Sequence, residues 1–236
     1  MRVHYLQHVE FEGPGAIAEW AVRRGHTLTR VPVFAEGFAH PGDFEMLVVL
    51  GGPMNVYQEV ECPWLAEEKR FIRYTIDSGV PVLGICLGAQ LLADVLGGEV
   101  VSGEAPEIGW YPVTLTGAGA ESPVFGVLPS RFDAIHWHGD TFTVPPGATR
   151  LASSLLTPNQ AFEYDGGRVL ALQFHLEATY DSWSALCEGA AGGLERGGEW
   201  TMSAEEMLAK RALFDVSNEM LFTLLDAMVA RGRQRQ

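Results

Sequence analysis

The fold of this chain is indicated by one stretch of its sequence, VLGICLGAQ at residues 82–90. The stretch begins with a short apolar run, typical of a strand buried on both faces of a parallel sheet. It continues as an apolar helix that ends at glycines after Leu96. Gly84 and Gly88 lie two residues either side of Cys86, where the absence of side chains allows a tight turn. We therefore predict a strand, a sharp turn that carries Cys86, and a helix.

The predicted turn gives Cys86 the environment of a nucleophile. At a helix N-terminus the dipole and the free N–H groups favour the thiolate. The N–H of Leu87 would point to where an oxyanion forms. A free cysteine is more often a small buried apolar residue, and this is our interpretation of Cys62 and Cys187, which lack the paired glycines.

Strand and helix patterns alternate through the first hundred residues. The predicted strands are Val3–Gln7, Leu28–Val33, Met46–Leu50 and Val80–Ile85, and the predicted helices are Ala16–Arg24, residues 63–77 and Leu87–Leu96. Alternation of this kind is typical of an α/β fold, in which helices cover both faces of an open, mainly parallel sheet.

The pattern changes after Gly98 to short β-prone segments separated by turn residues. These segments lie around Val100 and at Pro112–Thr116, Phe132–Trp137, Ala161–Tyr164 and Val169–Phe174. They predict an antiparallel annex to the sheet. A helical pattern returns from Ser203 to Ala230. We expect a single domain over residues 1–236, with a core of about 1–190, a loop at 189–198 and a C-terminal helical extension of about 200–236.

The composition excludes several classes of function. The net charge is −14, from 30 acidic and 16 basic residues, whereas nucleic acids and anionic membranes require a basic surface. The N-terminus is too polar for a signal peptide, and no apolar run is long enough for a membrane span. Three scattered cysteines suit a reducing compartment. We expect a cytoplasmic protein that binds neither nucleic acid nor membrane.

A cysteine hydrolase also needs a base, and His175 is the candidate. It lies at the end of a strand-like run, and Glu177 follows two residues later. Residues two apart share one face of a strand, so Glu177 can orient the ring of His175 toward Cys86. Upstream, Gly51 and Gly52 follow a buried strand at its carboxyl end. This pair can supply a second backbone donor for an oxyanion, although an ordinary turn has the same composition.

Along the chain the three motifs follow one another as the Gly51-Gly52 turn, the turn that carries Cys86, and the segment from His175 to Glu177. In this order they closely resemble the class I glutamine amidotransferases, and in particular the glutaminase domain of GMP synthase. The resemblance covers about residues 40–180 and implies a flavodoxin-like fold. We expect no cofactor and no metal. The resemblance implies a γ-glutamyl thioester on the cysteine as the intermediate. The residues that it implies are a catalytic triad of Cys86, His175 and Glu177, and an oxyanion hole built from the backbone of Gly51, Gly52 and Leu87.

The resemblance also implies a substrate site and shows two departures from the family. The implied substrate-binding residues are Gln90, His138, Gly139 and Asp140. The His-Pro-Glu motif that is usual in the family is His175-Leu176-Glu177 in this sequence, and leucine still allows the strand geometry. The Ser-Gly-Gly-x-Asp-Ser loop of the ATP pyrophosphatase in GMP synthase is not present in this sequence. We therefore expect a stand-alone member of the family.

Our main hypothesis is hydrolysis of glutamine, with glutamate and ammonia as products. A separate synthetase subunit would receive the ammonia. The alternative with the same chemistry is a γ-glutamyl peptidase that acts on small γ-glutamyl conjugates and needs no partner.

Three further hypotheses use the same residues differently. In an α/β-hydrolase that acts on esters or lactones, Asp140 and not Glu177 would orient His175. A metal site could use His136, His138 and His175, but no cysteine or carboxylate cluster in the sequence completes it. A non-catalytic regulator would have lost the nucleophile or the base, and the sequence retains both.

Overall fold

Nine strands form one mixed sheet in the computed structural model, which describes residues 1–35, 43–189 and 198–233. In chain order the strands are β1 (Arg2–Gln7), β2 (Thr27–Pro32), β3 (Met46–Val49), β4 (Val82–Ile85), β5 (Val100–Leu115), β6 (Arg131–Phe142), β7 (Thr149–Ser153), β8 (Ala161–Tyr164) and β9 (Val169–Leu172). Their order across the sheet is β2-β1-β3-β4-β9-β8-β7-β5-β6. The five strands from β2 to β9 are parallel, and every later pair is antiparallel.

The helices of the described ranges lie on both faces of this sheet. They are α1 (Ala16–Arg24), α2 (Trp64–Asp77), α3 (Leu87–Val95), α4 (Gly117–Glu121), α5 (Tyr180–Gly189), α6 (Ala204–Ala209) and α7 (Arg211–Arg233). Successive residues of β3 enter two different cores: Met46 and Val48 pack with α1 and α7, and Leu47 and Val49 pack with α2 and α3. The predicted α/β fold, with helices on both faces of the sheet, is confirmed; the sheet itself is mixed, with four parallel and four antiparallel strand pairs.

The antiparallel part of the sheet is more continuous than the sequence indicated. Two segments that were predicted separately, around Val100 and at residues 112–116, belong to the single strand β5, which has 16 residues. Gly103 and Pro106 lie where the pairing of β5 with β6 shifts register, between Ser102 and Glu107. An irregularity of this kind absorbs both residues without ending the strand.

The C-terminal helix predicted from Ser203 to Ala230 is two helices in the structure. Ser203 caps α6 through a capping box with Glu206, and Lys210 leaves the helical conformation before α7 begins. The break lets α6 pack against α5 while α7 packs against α1. Leu221 and Leu225 of α7 are fully buried in the core beneath α1. Of the loop predicted at 189–198, residues 190–197 lie outside the described residues. None of the described helices is both long enough and apolar enough to span a lipid bilayer.

The predicted turn between β4 and α3 is present, and its glycines are required by close backbone contacts. Cys86 caps α3 with φ 53° and ψ −109°. A Cβ on Gly88 would lie 2.0 Å from the carbonyl oxygen of Val49, and one on Gly84 would lie 2.5 Å from that of Gly88. The N-terminus of α3 therefore rests directly on the backbone of β3.

A methyl group at position 88 should destabilise the whole molecule. We expect Gly88→Ala to lower the free energy of unfolding by at least about 2 kcal/mol, because the contacted atom belongs to a buried strand that cannot move aside. Gly117→Ala is the matched control, since a Cβ at position 117 meets no atom within 4 Å. Urea denaturation of both variants tests this. Equal stability of Gly88→Ala and the wild-type chain would show that α3 does not rest on β3 as described.

Candidate active site

Three neighbouring strands bring the three sequence motifs together. Strands β3, β4 and β9 are adjacent and parallel, so their carboxyl ends lie at the same edge of the sheet. Gly51 and Gly52 follow β3, Cys86 follows β4, and His175 follows β9. A Cβ on Gly51 would lie 3.4 Å from Cε1 of His175 and 3.6 Å from Cβ of Cys86. The order of the strands thus places a thiol, an imidazole and a glycine turn in contact.

His175 reaches this position in a different way from the one that we predicted. Strand β9 ends at Leu172, and the chain bends at residues 173–174 instead of continuing as a strand. His175 forms an isolated bridge with Ile135 of β6, and its N–H donates to the carbonyl of Ile135 at 2.9 Å. The bridge carries β6 to the edge where Cys86 lies. The shared-face argument for His175 and Glu177 therefore does not describe the backbone, although the two side chains do meet.

Glu177 is the carboxylate that contacts the imidazole. Its Oε1 lies 2.6 Å from Nδ1 of His175, and both residues are buried. Burial lowers the pKa of His175, but the carboxylate of Glu177 and the side chain of Cys86 outweigh it, so the pKa lies well above its ordinary value. The ring therefore lies between the carboxylate of Glu177 and the side chain of Cys86, and these surroundings favour its protonated form. Trp183 packs edge-on against it, with ring centroids 5.5 Å apart.

Asp140 does not orient His175, contrary to the hydrolase hypothesis. Its carboxylate accepts hydrogen bonds from the hydroxyls of Tyr57 at 3.1 Å and Ser102 at 3.3 Å. Its backbone carbonyl accepts one from Nε2 of Gln90 at 3.2 Å. Asp140 therefore serves the wall of the site, and the assignment of an ester or lactone hydrolase with Asp140 in the triad is wrong.

Two backbone N–H groups beside Cys86 are free to bind an oxyanion. Those of Gly52 and Leu87 have no acceptor within the described ranges. By contrast, the N–H of Gly88 donates to the carbonyl of Leu50 at 3.1 Å. Gly52 and Leu87 both line the cavity in front of the thiol, whereas Gly51 lies behind it beside His175. The geometry thus favours Gly52 and Leu87 as the donors.

The cavity in front of Cys86 has a volume of about 330 Å³. Eight of the residues predicted for the site line it, namely Gly52, Cys86, Leu87, Gln90, His138, Gly139, Asp140 and His175. The other two, Gly51 and Glu177, line a small pocket of about 40 Å³ that adjoins it. All ten residues are therefore within one connected region of the structure.

The described residues contain one group with the ligand types and spacing of a metal site. Glu107, His136 and His138 are buried, and their ligand atoms lie within 4.8 Å of one another. His175 is not a member, and the carboxylate is one that the sequence hypothesis missed. Burial lowers the pKa of His136 to about 3. Burial raises that of Glu107, but its contacts with His138 and His136 outweigh this and lower it to about 2.

The Glu107 carboxylate already has a protein partner. Its Oε2 accepts a hydrogen bond from Nε2 of Gln160 at 2.7 Å and lies 3.3 Å from Nε2 of His138. His138 in turn contacts the carbonyl of Asp140 through Nδ1 at 3.0 Å. This buried polar network supports the part of β6 that lines the cavity.

Four residues that shape the site were not predicted from the sequence. Three lie in the loop after β1, and the fourth lies in α2. Glu12 lines the cavity; burial raises the pKa of its carboxyl group, and His175 and His8 oppose this. His8 contacts the carbonyl of Gly51 and is paired with Glu68. Gly15 has φ 49°, and a Cβ there would lie 2.1 Å from the carbonyl oxygen of Glu177.

The sequence does contain a positional signal for one of these residues, His8. His8 follows a strand directly, and polar residues at the carboxyl ends of parallel strands are candidates for a site. Glu68 has no such signal, because it lies inside a helix.

The chain is similar to known proteins of one family. A family model described as glutamine amidotransferase class-I matches residues 15–185, more than half of the chain. The glutamine amidotransferase-like protein YfeJ of Salmonella typhimurium is 35% identical over 242 residues, which cover 100% of both chains. A crystal structure of a glutamine amidotransferase from Thermotoga maritima has a TM-score of 0.87 at 31% identity, covering 97% of this chain and 98% of that one.

The similarity to GMP synthases is more local. GMP synthase of Thermomicrobium roseum is 39% identical over 135 residues, which are 57% of this chain and 23% of that protein. This chain therefore matches about a quarter of the length of the GMP synthase.

The contact with Glu177 should determine the protonation of His175. We expect Glu177→Gln to lower the pKa of His175, because a neutral amide no longer offsets the effect of burial. An NMR titration of the imidazole resonances measures this without any substrate. Asp140→Asn is the control, and it should leave the titration of His175 unchanged. An unchanged pKa in Glu177→Gln would mean that another group holds the ring.

Proposed function

This chain belongs to the class I glutamine amidotransferases, and from that premise we propose that it hydrolyses the side-chain amide of glutamine through a thioester on Cys86. The observation that carries the proposal is the contact of one thiol, one charged imidazole and two free N–H groups around a single cavity. Each group matches one need of amide hydrolysis: a nucleophile, a proton donor and acceptor, and an oxyanion site.

In the first half of the proposed reaction the thiolate of Cys86 attacks the γ-carbonyl carbon. The N–H groups of Gly52 and Leu87 hold the oxyanion of the tetrahedral intermediate. His175 then donates its proton to the amide nitrogen, the C–N bond breaks, and ammonia leaves the thioester behind. The raised pKa of His175 favours the protonated ring, which carries this proton before the attack.

In the second half a water molecule attacks the thioester. His175 accepts a proton from this water, and collapse of the intermediate expels the thiolate of Cys86 and releases glutamate. The ion pair with Glu177 keeps the ring oriented in both halves, because its Nδ1 stays bound to the carboxylate. The proposed steps use only side chains and backbone groups of this chain and one water molecule.

We place the amino-acid end of the substrate between α3 and the end of β6. Gln90 and the segment from His138 to Asp140 line this side of the cavity. The hydrogen bond from Gln90 to the carbonyl of Asp140 joins the two walls. The side chains of His138 and Asp140 are themselves engaged in protein contacts, so this wall is held in shape before a substrate enters.

The ammonia acceptor is the finer part of the proposal. The GMP synthase relatives are described as glutamine-hydrolysing, and a separate synthetase subunit is the acceptor that we propose for this chain. One observation favours the γ-glutamyl peptidase alternative. Phe11, which is 60% exposed, and Leu186 also line the cavity, so that apolar surface is available for a group attached to the γ-nitrogen.

Hydrolysis should depend on Cys86 and on no other cysteine. We expect Cys86→Ser to reduce the release of glutamate from glutamine by about 10⁴-fold or more, since triad members act as a unit. Cys62→Ala is the control, because Cys62 lies against the core beneath α2 and should retain full activity. Comparable turnover by Cys86→Ser and the wild-type chain would exclude the thioester mechanism.

The same assay separates the two candidate functions when it includes glutathione and other small γ-glutamyl compounds. Faster turnover of these compounds than of glutamine supports the peptidase. Preference for glutamine supports the amidotransferase subunit.

A further inference from the structure

A buried ion pair lies directly behind the glycine turn. Nδ1 of His8 is 2.8 Å from the carbonyl oxygen of Gly51, and Nε2 is 2.9 Å from Oε1 of Glu68. Both side chains of the pair are fully buried. His8 follows β1 and Glu68 lies in α2, so two separate elements converge on one peptide group. Neither residue lines the cavity.

The partners of His8 determine where its protons are. With Glu68 as a carboxylate, both partners of the ring only accept hydrogen bonds, so both ring nitrogens donate. The ring is therefore an imidazolium. Burial lowers the pKa of His8, but Glu68, the Gly51 carbonyl and Glu12 outweigh it and raise the pKa above its ordinary value. The direction of this shift agrees with the geometry.

The hydrogen bond to Gly51 also fixes the direction of the next N–H. In a trans peptide the carbonyl and the N–H point in opposite directions, and the bond between Gly51 and Gly52 is trans. Because the carbonyl of Gly51 points at His8, the N–H of Gly52 points away from it. Gly52 lines the cavity and His8 does not, so that N–H points toward the substrate.

Sterics and the preceding peptide leave this turn little freedom. A Cβ on Gly52 would lie 2.9 Å from Cβ of His8 and 3.1 Å from Cδ2 of Leu87. The carbonyl of Leu50, one peptide earlier, is held by the N–H of Gly88. The orientation of the peptide plane between Gly51 and Gly52 then remains to be fixed, and the hydrogen bond from His8 fixes it.

We propose that the buried His8–Glu68 ion pair is a positioning device that holds the Gly51–Gly52 peptide so that the N–H of Gly52 is presented to the oxyanion. This inference rests on the proposed function, because the oxyanion forms only when Cys86 attacks a carbonyl. His8 touches neither substrate nor Cys86. Its positive charge lies on the carbonyl side of the peptide and polarises it, which makes the N–H of Gly52 a stronger donor.

A charged pair in this place requires the burial of two charges, which costs free energy that an apolar contact would not cost. Oε2 of Glu68 is buried and has no hydrogen-bond partner in the described part of the chain. Replacement of a buried ion pair by apolar residues is often neutral or stabilising. A role in the site accounts for a charged pair at this cost, because its histidine is bound to the peptide beside the nucleophile.

Two double variants test the device without leaving a single buried charge. His8→Asn with Glu68→Gln keeps a neutral donor at the position of Nδ1. His8→Leu with Glu68→Leu removes the donor and fills the space with apolar groups. We expect the leucine pair to lower kcat on the preferred γ-glutamyl substrate by about 10- to 100-fold and to leave KM unchanged. This loss is smaller than the loss of kcat that follows removal of an oxyanion donor. The Asn/Gln pair should recover most of that loss.

A second readout separates positioning from general damage. Alkylation of Cys86 by iodoacetamide forms no oxyanion, so its rate should be the same in the leucine pair and the wild-type chain. His4→Leu is the matched control, since His4 is a buried histidine of β1 whose ring stacks on Phe44, and it should leave kcat unchanged. Full kcat in the leucine pair, or a parallel loss of kcat and alkylation rate, would overturn the proposal.

The protons of His8 can be observed without a substrate, which keeps this inference distinct from the proposed function. In a ¹⁵N-histidine spectrum of the wild-type chain at neutral pH, both ring nitrogens of His8 should be protonated. A ring with only one proton would overturn the inference whatever the substrate. Failure of the wild-type chain to hydrolyse any γ-glutamyl compound would instead overturn the proposed function.

Discussion

The contact between the N-terminus of α3 and the end of β3 is the constraint on which the rest of the site depends. It requires glycine at position 88, because a single methyl group there would meet the carbonyl of Val49. With the helix seated, Cys86 is held at a positive φ at the tip of the turn. The N–H of Leu87 is then left free, while that of Gly88 is used to anchor the carbonyl of Leu50. One close backbone contact thus fixes the position of the thiol and of the first oxyanion donor, the N–H of Leu87. It also fixes the end of the strand that leads to the second donor, the N–H of Gly52.

Two buried imidazolium–carboxylate pairs flank this contact and act in similar ways. Glu177 holds His175 against Cys86, and Glu68 holds His8 against the Gly51 carbonyl. In both pairs burial lowers the histidine pKa, but the carboxylate and its neighbours raise it by more, which favours the charged ring in a buried site. The first pair supplies a proton to the proposed reaction. The second supplies a fixed orientation of the backbone.

Much of this arrangement could be predicted from sequence because its signals are local. Cys86 is recognisable from two glycines and the flanking apolar runs, and the strand before Gly51 and Gly52 shows where the sheet edge is. The short distance from His175 to Glu177 made their pairing predictable, although the bend at residues 173–174 was not. The roles of His8 and Glu68 could not be predicted, since they come from elements 60 residues apart and meet only through the order of strands β1, β3 and β4. The break at Lys210 was also hidden, because the packing of α6 and α7 on different partners creates it.

The central claim is that Cys86 carries the acyl group during turnover, and mass spectrometry of the quenched enzyme tests it most directly. The chain is mixed with its preferred γ-glutamyl substrate, stopped in acid during turnover and digested with a protease. Our account predicts a peptide that contains Cys86 and has gained the mass of one γ-glutamyl group, and no such gain on the peptides that contain Cys62 or Cys187. Hydrolysis that proceeds with the γ-glutamyl group on another residue would contradict it. So would hydrolysis during which Cys86 stays unmodified, both in the wild-type chain and in the Glu177→Gln variant.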